Sequence, residues 1–475
     1  MANNSPLDTD AKNNTNLSPT TFMTVVAMIV AIAGGLYGYD TGIISGALLQ
    51  ISAEFQLNHT QQELVAAAIL AGAVIGSVAS TPLSSTIGRR RTIMFLSALY
   101  AVGVFTCALA SSALWLGIFR FILGLAVGSS TQIVPLYIAE LAPPEKRGRL
   151  VTFFNISIGV GILLAAVVGF VLQSTWTWRW MIGVAGIPAI LLLICTKILP
   201  YSARWLVEQG RIIDAKDALQ KVRESDHQVQ QELRQIQRAH ARLRDLSTSC
   251  KAMMDPVVRP SVIAGLGVAA FTQLSGIEMM IYYTPTFLTM AGFAHNGALL
   301  AALGVAVIYL IMTCLGKMIV DHVGRRPLAL WTMPFAAIAM FALGATFQFK
   351  LGQQNHGAIV VALLLAFMVF NSGGIQVIGW LMGSELYPMS IRDKATGAHS
   401  AMLWGANLIL TGTALTVVNL LGVGGAMVLY GLFNLIGFFF IYFLVPETAG
   451  RSLEDIEHSL HEGTFQPYRA KKNKT

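Results

Sequence analysis

Charge is what this sequence lacks. Only 12% of its 475 residues are Asp, Glu, Lys or Arg, about half the ~25% carried by an average soluble domain. Over so long a chain that deficit excludes a water-facing surface for most of the molecule. With 55% apolar residues and a mean hydropathy of +0.62, the sequence reads as a multi-span membrane protein. Cysteine is scarce as well. Cys107, Cys195, Cys250 and Cys314 form no CxxC pair and have no His at zinc-ligand spacing, so neither a disulfide framework nor a metal site is expected. No set of nucleophile, base and oxyanion donors stands out, so no enzyme and no cofactor are expected. The first twenty residues lack the basic start and short apolar core of a secretory signal and read as a disordered cytoplasmic tail.

What is present is a series of apolar windows of about twenty residues, the length that crosses a hydrocarbon core of roughly 30 Å. Six fall near 22–50, 63–87, 92–112, 114–138, 150–173 and 178–199, and six more near 260–290, 297–323, 327–349, 356–386, 393–420 and 424–445. The expected domains are therefore a tail (1–20), a six-helix half (21–200), a linker (201–258), a second six-helix half (259–446) and a tail with a short helix (447–475). In the linker, Leu219, Val222, Val229, Leu233, Ile236 and Leu243 recur at roughly helical spacing, as in amphipathic surface helices.

The 32 Lys+Arg against 24 Asp+Glu mark sidedness rather than a nucleic-acid partner, because short cytoplasmic loops are enriched in basic residues. Arg89 to Arg91 follow span 2, Lys146, Arg147 and Arg149 follow span 4, Arg325 and Arg326 follow span 8, and Arg392 and Lys394 follow span 10. The intervening loops carry almost none. Both termini and the linker are thus expected in the cytoplasm, with the chain a multi-pass protein of a cytoplasmic membrane and a monomer by default.

The halves repeat one another. Ile87-Gly88-Arg89-Arg90-Arg91 after span 2 corresponds to Asp321-His322-Val323-Gly324-Arg325-Arg326 after span 8. Glu140 precedes Arg147 by seven positions after span 4, and Glu385 precedes Arg392 by seven after span 10. A parallel duplication of this kind puts a solute site near the midplane between halves that rock about it.

These loops resemble the major facilitator superfamily and, within it, the sugar porter family. More specific markers are Gly38-Tyr39-Asp40-Thr41-Gly42 in span 1, Pro200-Tyr201-Ser202-Ala203-Arg204-Trp205-Leu206 after span 6, and Pro446-Glu447-Thr448 after span 12. The last two look like the family's PESPRWL and PETKG signatures, with Tyr201 and Ala203 where a glutamate and a proline are usual. The resemblance implies an all-α membrane protein, twelve transmembrane helices in two six-helix halves with a cytoplasmic helical linker. It also implies that Arg89, Glu140, Arg147, Asp321, Arg325, Glu385 and Arg392 form interhelical salt bridges that close the cytoplasmic side in the outward-open state. Ser85 stands where the second half has Asp321, so the first half is expected to be latched more weakly there.

Asp40 lies too deep in span 1 for its carboxylate to reach water, and Arg120 in span 4 is the candidate cation. Burial disfavours a charged carboxyl and a nearby cation favours it, so a deep acid beside a movable cation makes a proton switch. Proton-linked members of the family carry Asp and Arg at these two positions, which implies proton coupling through Asp40 and Arg120.

For the solute, the resemblance points to Tyr37, Asn155, Thr272, Gln273, Glu278, Tyr309, Trp380, Trp404 and Asn407, because sugar hydroxyls need groups that both donate and accept. Several family amides are shortened or replaced here, which disfavours the commonest hexoses. Glu278, with no basic neighbour in sequence, has three readings: a neutral donor to hydroxyls, a partner for a substrate amine, or a second proton site. Tyr282, Tyr283 and Pro285 match a YYxP run that implies a gate where span 7 bends, and interfacial aromatics are the alternative. Lys317 is expected to snorkel to the cytoplasmic surface. The expected function is proton-coupled symport of a sugar, polyol or sugar-like solute by alternating access, with solute, protons and the lipid bilayer as partners. A carrier of amine-bearing solutes and a non-transporting nutrient receptor are the rivals.

Overall fold

The computed structural model describes residues 19–142, 144–223, 225–244, 250–349, 357–451 and 453–467; the expected N-terminal tail lies outside them up to residue 18. Among the described residues every regular element is a helix, and eleven helical segments are long and apolar enough to cross a membrane. Single crossings are made by α1 (Pro19–Phe55), α2 (His59–Ile87), α3 (Arg89–Ala108), α4 (Ala113–Leu141) and α5 (Pro144–Val171). The sixth is divided into α6 (Trp178–Gly183) and α7 (Gly186–Cys195). Three amphipathic helices follow: α8 (Ala203–Glu208), α9 (Ile212–Gln220) and α10 (Asp226–Arg244).

The seventh crossing combines α11 (Arg259–Leu274) and α12 (Ile277–Met290), α13 (His295–Val323) and α14 (Arg325–Gln348) are continuous, and the tenth combines α15 (Gly357–Gly373) and α16 (Ile375–Glu385). The long ladder α17 (Arg392–Leu444) is broken at Gly422, with φ 73°, so it supplies the eleventh and twelfth crossings. α18 (Leu453–His461) ends the order, and its Ile456 and Leu460 are buried against the second half.

Small residues let the backbones interlock. Gly72 and Gly76 of α2 face Gly124 and Gly128 of α4, and a Cβ at any of the four would strike the backbone of the facing helix. Close packing of this kind holds helices together in lipid, where no hydrophobic drive separates helix from solvent. The break between α11 and α12 has an equally specific cause: Gly276 takes a left-handed φ of 95°, and Asn434 Nδ2 donates to the freed carbonyl of Ser275 at 2.8 Å. Between the halves, α2 packs on α17, α5 on α13 and α1 on α12.

The central helices form a small core of their own around Trp205, Leu206, Leu219, Val229 and Ile236. Arg223 pins them to the first half, donating to the Leu141 carbonyl at 2.8 Å while it pairs with Glu232 at 2.6 Å. Leu243 lies in α10, and its side chain is outside the described set.

Candidate functional site

The cavity between the halves is lined by Tyr37 and Thr41 of α1, Asn155 and Ile158 of α5, Glu278 of α12, Tyr309, Thr313 and Lys317 of α13, and Gln376 and Trp380 of α16. Residues four apart share a helix face, so Tyr309, Thr313 and Lys317 present one continuous polar stripe. Among the described residues no hydrogen bond of good geometry reaches the buried Glu278 Oε2, Thr313 Oγ1 or Gln376 Oε1, although Tyr309 lies close to Thr313 and Gln376. Buried polar groups are ordinarily satisfied, so these atoms mark a place built for a polar ligand.

Of the residues singled out from sequence, Tyr37, Asn155, Glu278, Tyr309 and Trp380 line this cavity. Trp404 stands behind Tyr37, edge to face at 5.4 Å between ring centroids, and Asn407 lies beside the Glu278 carboxyl. Gln273 is buried with its Oε1 unpartnered and is not among the cavity-lining residues. Thr272 is turned away: its Oγ1 donates to the Val268 carbonyl at 2.7 Å, and the side chain packs against Gly379. Lys317, half-buried on α13, also lines the cavity. Thr313 and Gln376, which sequence reading missed, could have been found as polar residues at helical spacing from Tyr309 and Trp380 inside apolar windows.

Asp40 and Arg120 are 2% and 1% exposed. They sit close enough to act on one another electrostatically, yet they do not form an ion pair. Arg120 Nε donates to the Val65 carbonyl at 2.9 Å, and Asp40 Oδ2 and Arg120 Nη2 are both buried without a partner among the described residues. Tyr100 of α3 faces Asp40 and donates to the Leu36 carbonyl at 3.0 Å.

The end of the bundle that carries the central helices holds two versions of one ionic knot. In the first half Arg89 donates to Glu140 through Nε at 3.2 Å and Nη2 at 3.0 Å, and Ser202 Oγ donates to the other carboxylate oxygen. In the second, Arg325 pairs with Glu385 at 2.8 Å and with Asp321 at 2.9 Å, while Thr448 Oγ1 donates to Glu385 at 2.6 Å. Glu447 adds a clamp without counterpart, accepting from the backbone N–H groups of Arg325 and Arg326 at 3.0 Å each. Each knot ties helices of one half together. The pairing of Glu385 with Arg392 does not form: Glu385 is saturated by Arg325 and Thr448, and Arg392 Nη2 donates to the Ser384 carbonyl at 2.7 Å instead. The Arg147 side chain lies outside the described residues.

At the opposite end the halves touch. Glu63 of α2 accepts from the Thr416 backbone N–H at 2.6 Å and from its hydroxyl at 2.7 Å, and Gln173 bonds His295 at 2.7 Å and Asn296 at 3.1 Å. Tyr282 and Tyr283 are buried rather than interfacial. Tyr282 lies beside Thr41 of the other half, Tyr283 donates to the Thr411 carbonyl at 3.0 Å, and Pro285 sits inside α12. Sequence reading missed Glu63; the available signal was an acid at the edge of an apolar window with no basic neighbour.

Two helical halves, a cavity between them and an ionic knot in each define a membrane transporter of the major facilitator fold, not an enzyme. The family model "Sugar (and other) transporter" matches residues 26–460, and the chain belongs to that family. It is 35% identical to a D-xylose transporter of Levilactobacillus brevis, over 91% of this chain and 95% of the relative. It is 32% identical to the galactose-proton symporter of Escherichia coli (strain K12), over 96% and 97%. The partially occluded inward-open structure of the xylose transporter of E. coli superposes with a TM-score of 0.78 at 26% identity, covering 91% of this chain and 100% of the other.

Proposed function

We propose that the protein is a proton-coupled symporter of a sugar, polyol or sugar-like solute. The observation that carries this reading is the cavity of polar groups between the halves, with a buried acid and a buried cation, Asp40 and Arg120, beside it and not ion-paired. The relatives named for D-xylose and galactose-proton transport support the substrate class and the coupling.

Solute hydroxyls meet Glu278, Gln376, Asn155 and Tyr309, and the Trp380 ring offers a flat apolar face to a pyranose. Asp40 takes a proton, and with its charge neutralised Arg120 is held only by backbone. The halves then rock, solute leaves on the other side, and the ionised Asp40 attracts Arg120 again. The basic loops support a cytoplasmic side for the central helices, both termini and the two knots. Contact at the opposite end then makes this arrangement inward-facing.

Uptake into proteoliposomes with and without an inward proton gradient tests the reading. Accumulation of a neutral sugar or polyol above equilibrium, only with the gradient, is the expected result. Equal uptake without the gradient overturns the coupling.

A further inference from the structure

Glu63 is the one carboxylate among the described residues whose two oxygens reach donors of the other half. It is 2% exposed, lies on the first turns of α2, and accepts from Thr416 N and Thr416 Oγ1 of α17 at 2.6 and 2.7 Å. No cation lies within ion-pair distance of it among the described residues. The groups that face it are Tyr283 of α12 and Tyr430 of α17, both electrostatically coupled to Glu63. The neighbouring α4 contributes Arg120, held on the Val65 carbonyl two residues further along α2, and α2 itself contributes His59 one turn earlier.

We propose that Glu63 is a second proton-linked residue of the transport cycle, the ionised latch that holds the two halves shut at the end opposite the central helices. The chemistry follows from valence. An ionised carboxylate offers acceptors on both oxygens, so it satisfies the N–H and the hydroxyl of Thr416 together. A proton added at the oxygen that faces the Thr416 N–H sets donor against donor, whereas one added at the other oxygen reverses the bond with the hydroxyl, which can accept as well as donate; in both cases the carboxylate's charge, which strengthens both bonds across the halves, is lost. Charge-assisted bonds are about twice as strong as neutral ones, so any bond that remains is weakened. A proton arriving from that side therefore unlatches the outer end before solute enters. Asp40 and Arg120 lie within the first half and set the affinity for the coupled proton, whereas Glu63 sets when the outer end opens. The inference rests on the symporter reading for its purpose, but its physical content, a proton-sensitive contact between halves, is separable.

The test uses the full chain in lipid nanodiscs, with its four native cysteines replaced and spin labels at exposed Thr60 and Leu420, and reads the distance between labels from pH 8 to pH 5. In the parent the population with the longer distance is expected to rise on acidification. Glu63→Gln should hold the longer distance enriched and independent of pH, because an amide cannot ionise. Thr416→Val keeps the backbone N–H and removes the hydroxyl, so it should shift the change toward higher pH while retaining it. A distance that ignores pH in the parent, or the same pH response in Glu63→Gln as in the parent, overturns the proposal. Since no solute or gradient is needed, failure of proton-driven uptake with a responsive latch would overturn the symporter reading alone.

Discussion

Tyr201 lies beneath Arg90, with the guanidinium carbon 5.0 Å from the ring centroid, where the second half sets the carboxylate of Glu447 against Arg325 and Arg326. The correspondence is fixed by the next residue in each segment: Ser202 donates to Glu140 and Thr448 to Glu385. The first knot thus relies on an aromatic face, with Arg91 also over the ring at 5.8 Å, and the second on a charged cap at the start of α14.

That difference predicts unequal costs. Glu447→Ala leaves two N–H groups at a helix start without acceptors, and loss of such a cap costs ~1–2 kcal/mol. Tyr201→Leu keeps the packing of this half-buried side chain against the core of the central helices and removes its contacts with Arg90 and Arg91, cation–π interactions worth ~0.5–1 kcal/mol at such a site. In thermal unfolding of the purified protein, Glu447→Ala should lower the midpoint more than Tyr201→Leu, and equal shifts would refute the asymmetry.

Asp40→Asn keeps the shape of the side chain and removes its titration. Accumulation against a gradient should fall to the equilibrium level, while solute exchange between two loaded compartments continues. Loss of both activities would assign Asp40 to solute binding or to folding rather than to coupling.

Glu278 distinguishes the modes of solute recognition. Glu278→Gln retains a donor and an acceptor beside Asn407, so a neutral solute should bind within a few-fold of the parent in a calorimetric titration. Glu278→Ala leaves buried polar groups unpaired at a cost of ~1–3 kcal/mol, at least a fivefold loss. A collapse of binding in the Gln variant would instead show that the negative charge is required, as an amine-bearing solute demands.

Gly124→Val tests the interlock of α2 and α4. The Cβ would strike the Ile69 carbonyl, and overpacking of that kind costs ~1–3 kcal/mol or more. The folded yield should drop and unfold at lower temperature, whereas Gly117→Val, on a part of α4 with no neighbour within 4 Å, should be near neutral.

The sequence by itself determined the spans, because twenty apolar residues have no stable state but a membrane-crossing or deeply buried helix. The repeated turns and the family motifs are likewise legible, since each lies within a few consecutive residues: Gly88-Arg89-Arg90 and Gly324-Arg325-Arg326 both begin helices as their repetition suggests. Asp40, Glu278 and Trp380 could be singled out for the same reason, as polar or aromatic residues that an apolar window does not otherwise tolerate. Partners were a different matter. That Glu385 chooses Arg325 over Arg392, that Thr272 bonds its own helix and faces Gly379, and that Lys317 lines the cavity are outcomes of helix rotation and of contacts between segments far apart in the chain. Glu63 and Thr416 are separated by 353 positions, and no local pattern in either segment names the other. Only the tertiary structure decides such pairs, because hydrogen bonds and ion pairs act over about 3 Å and depend on which faces the packed helices bring together.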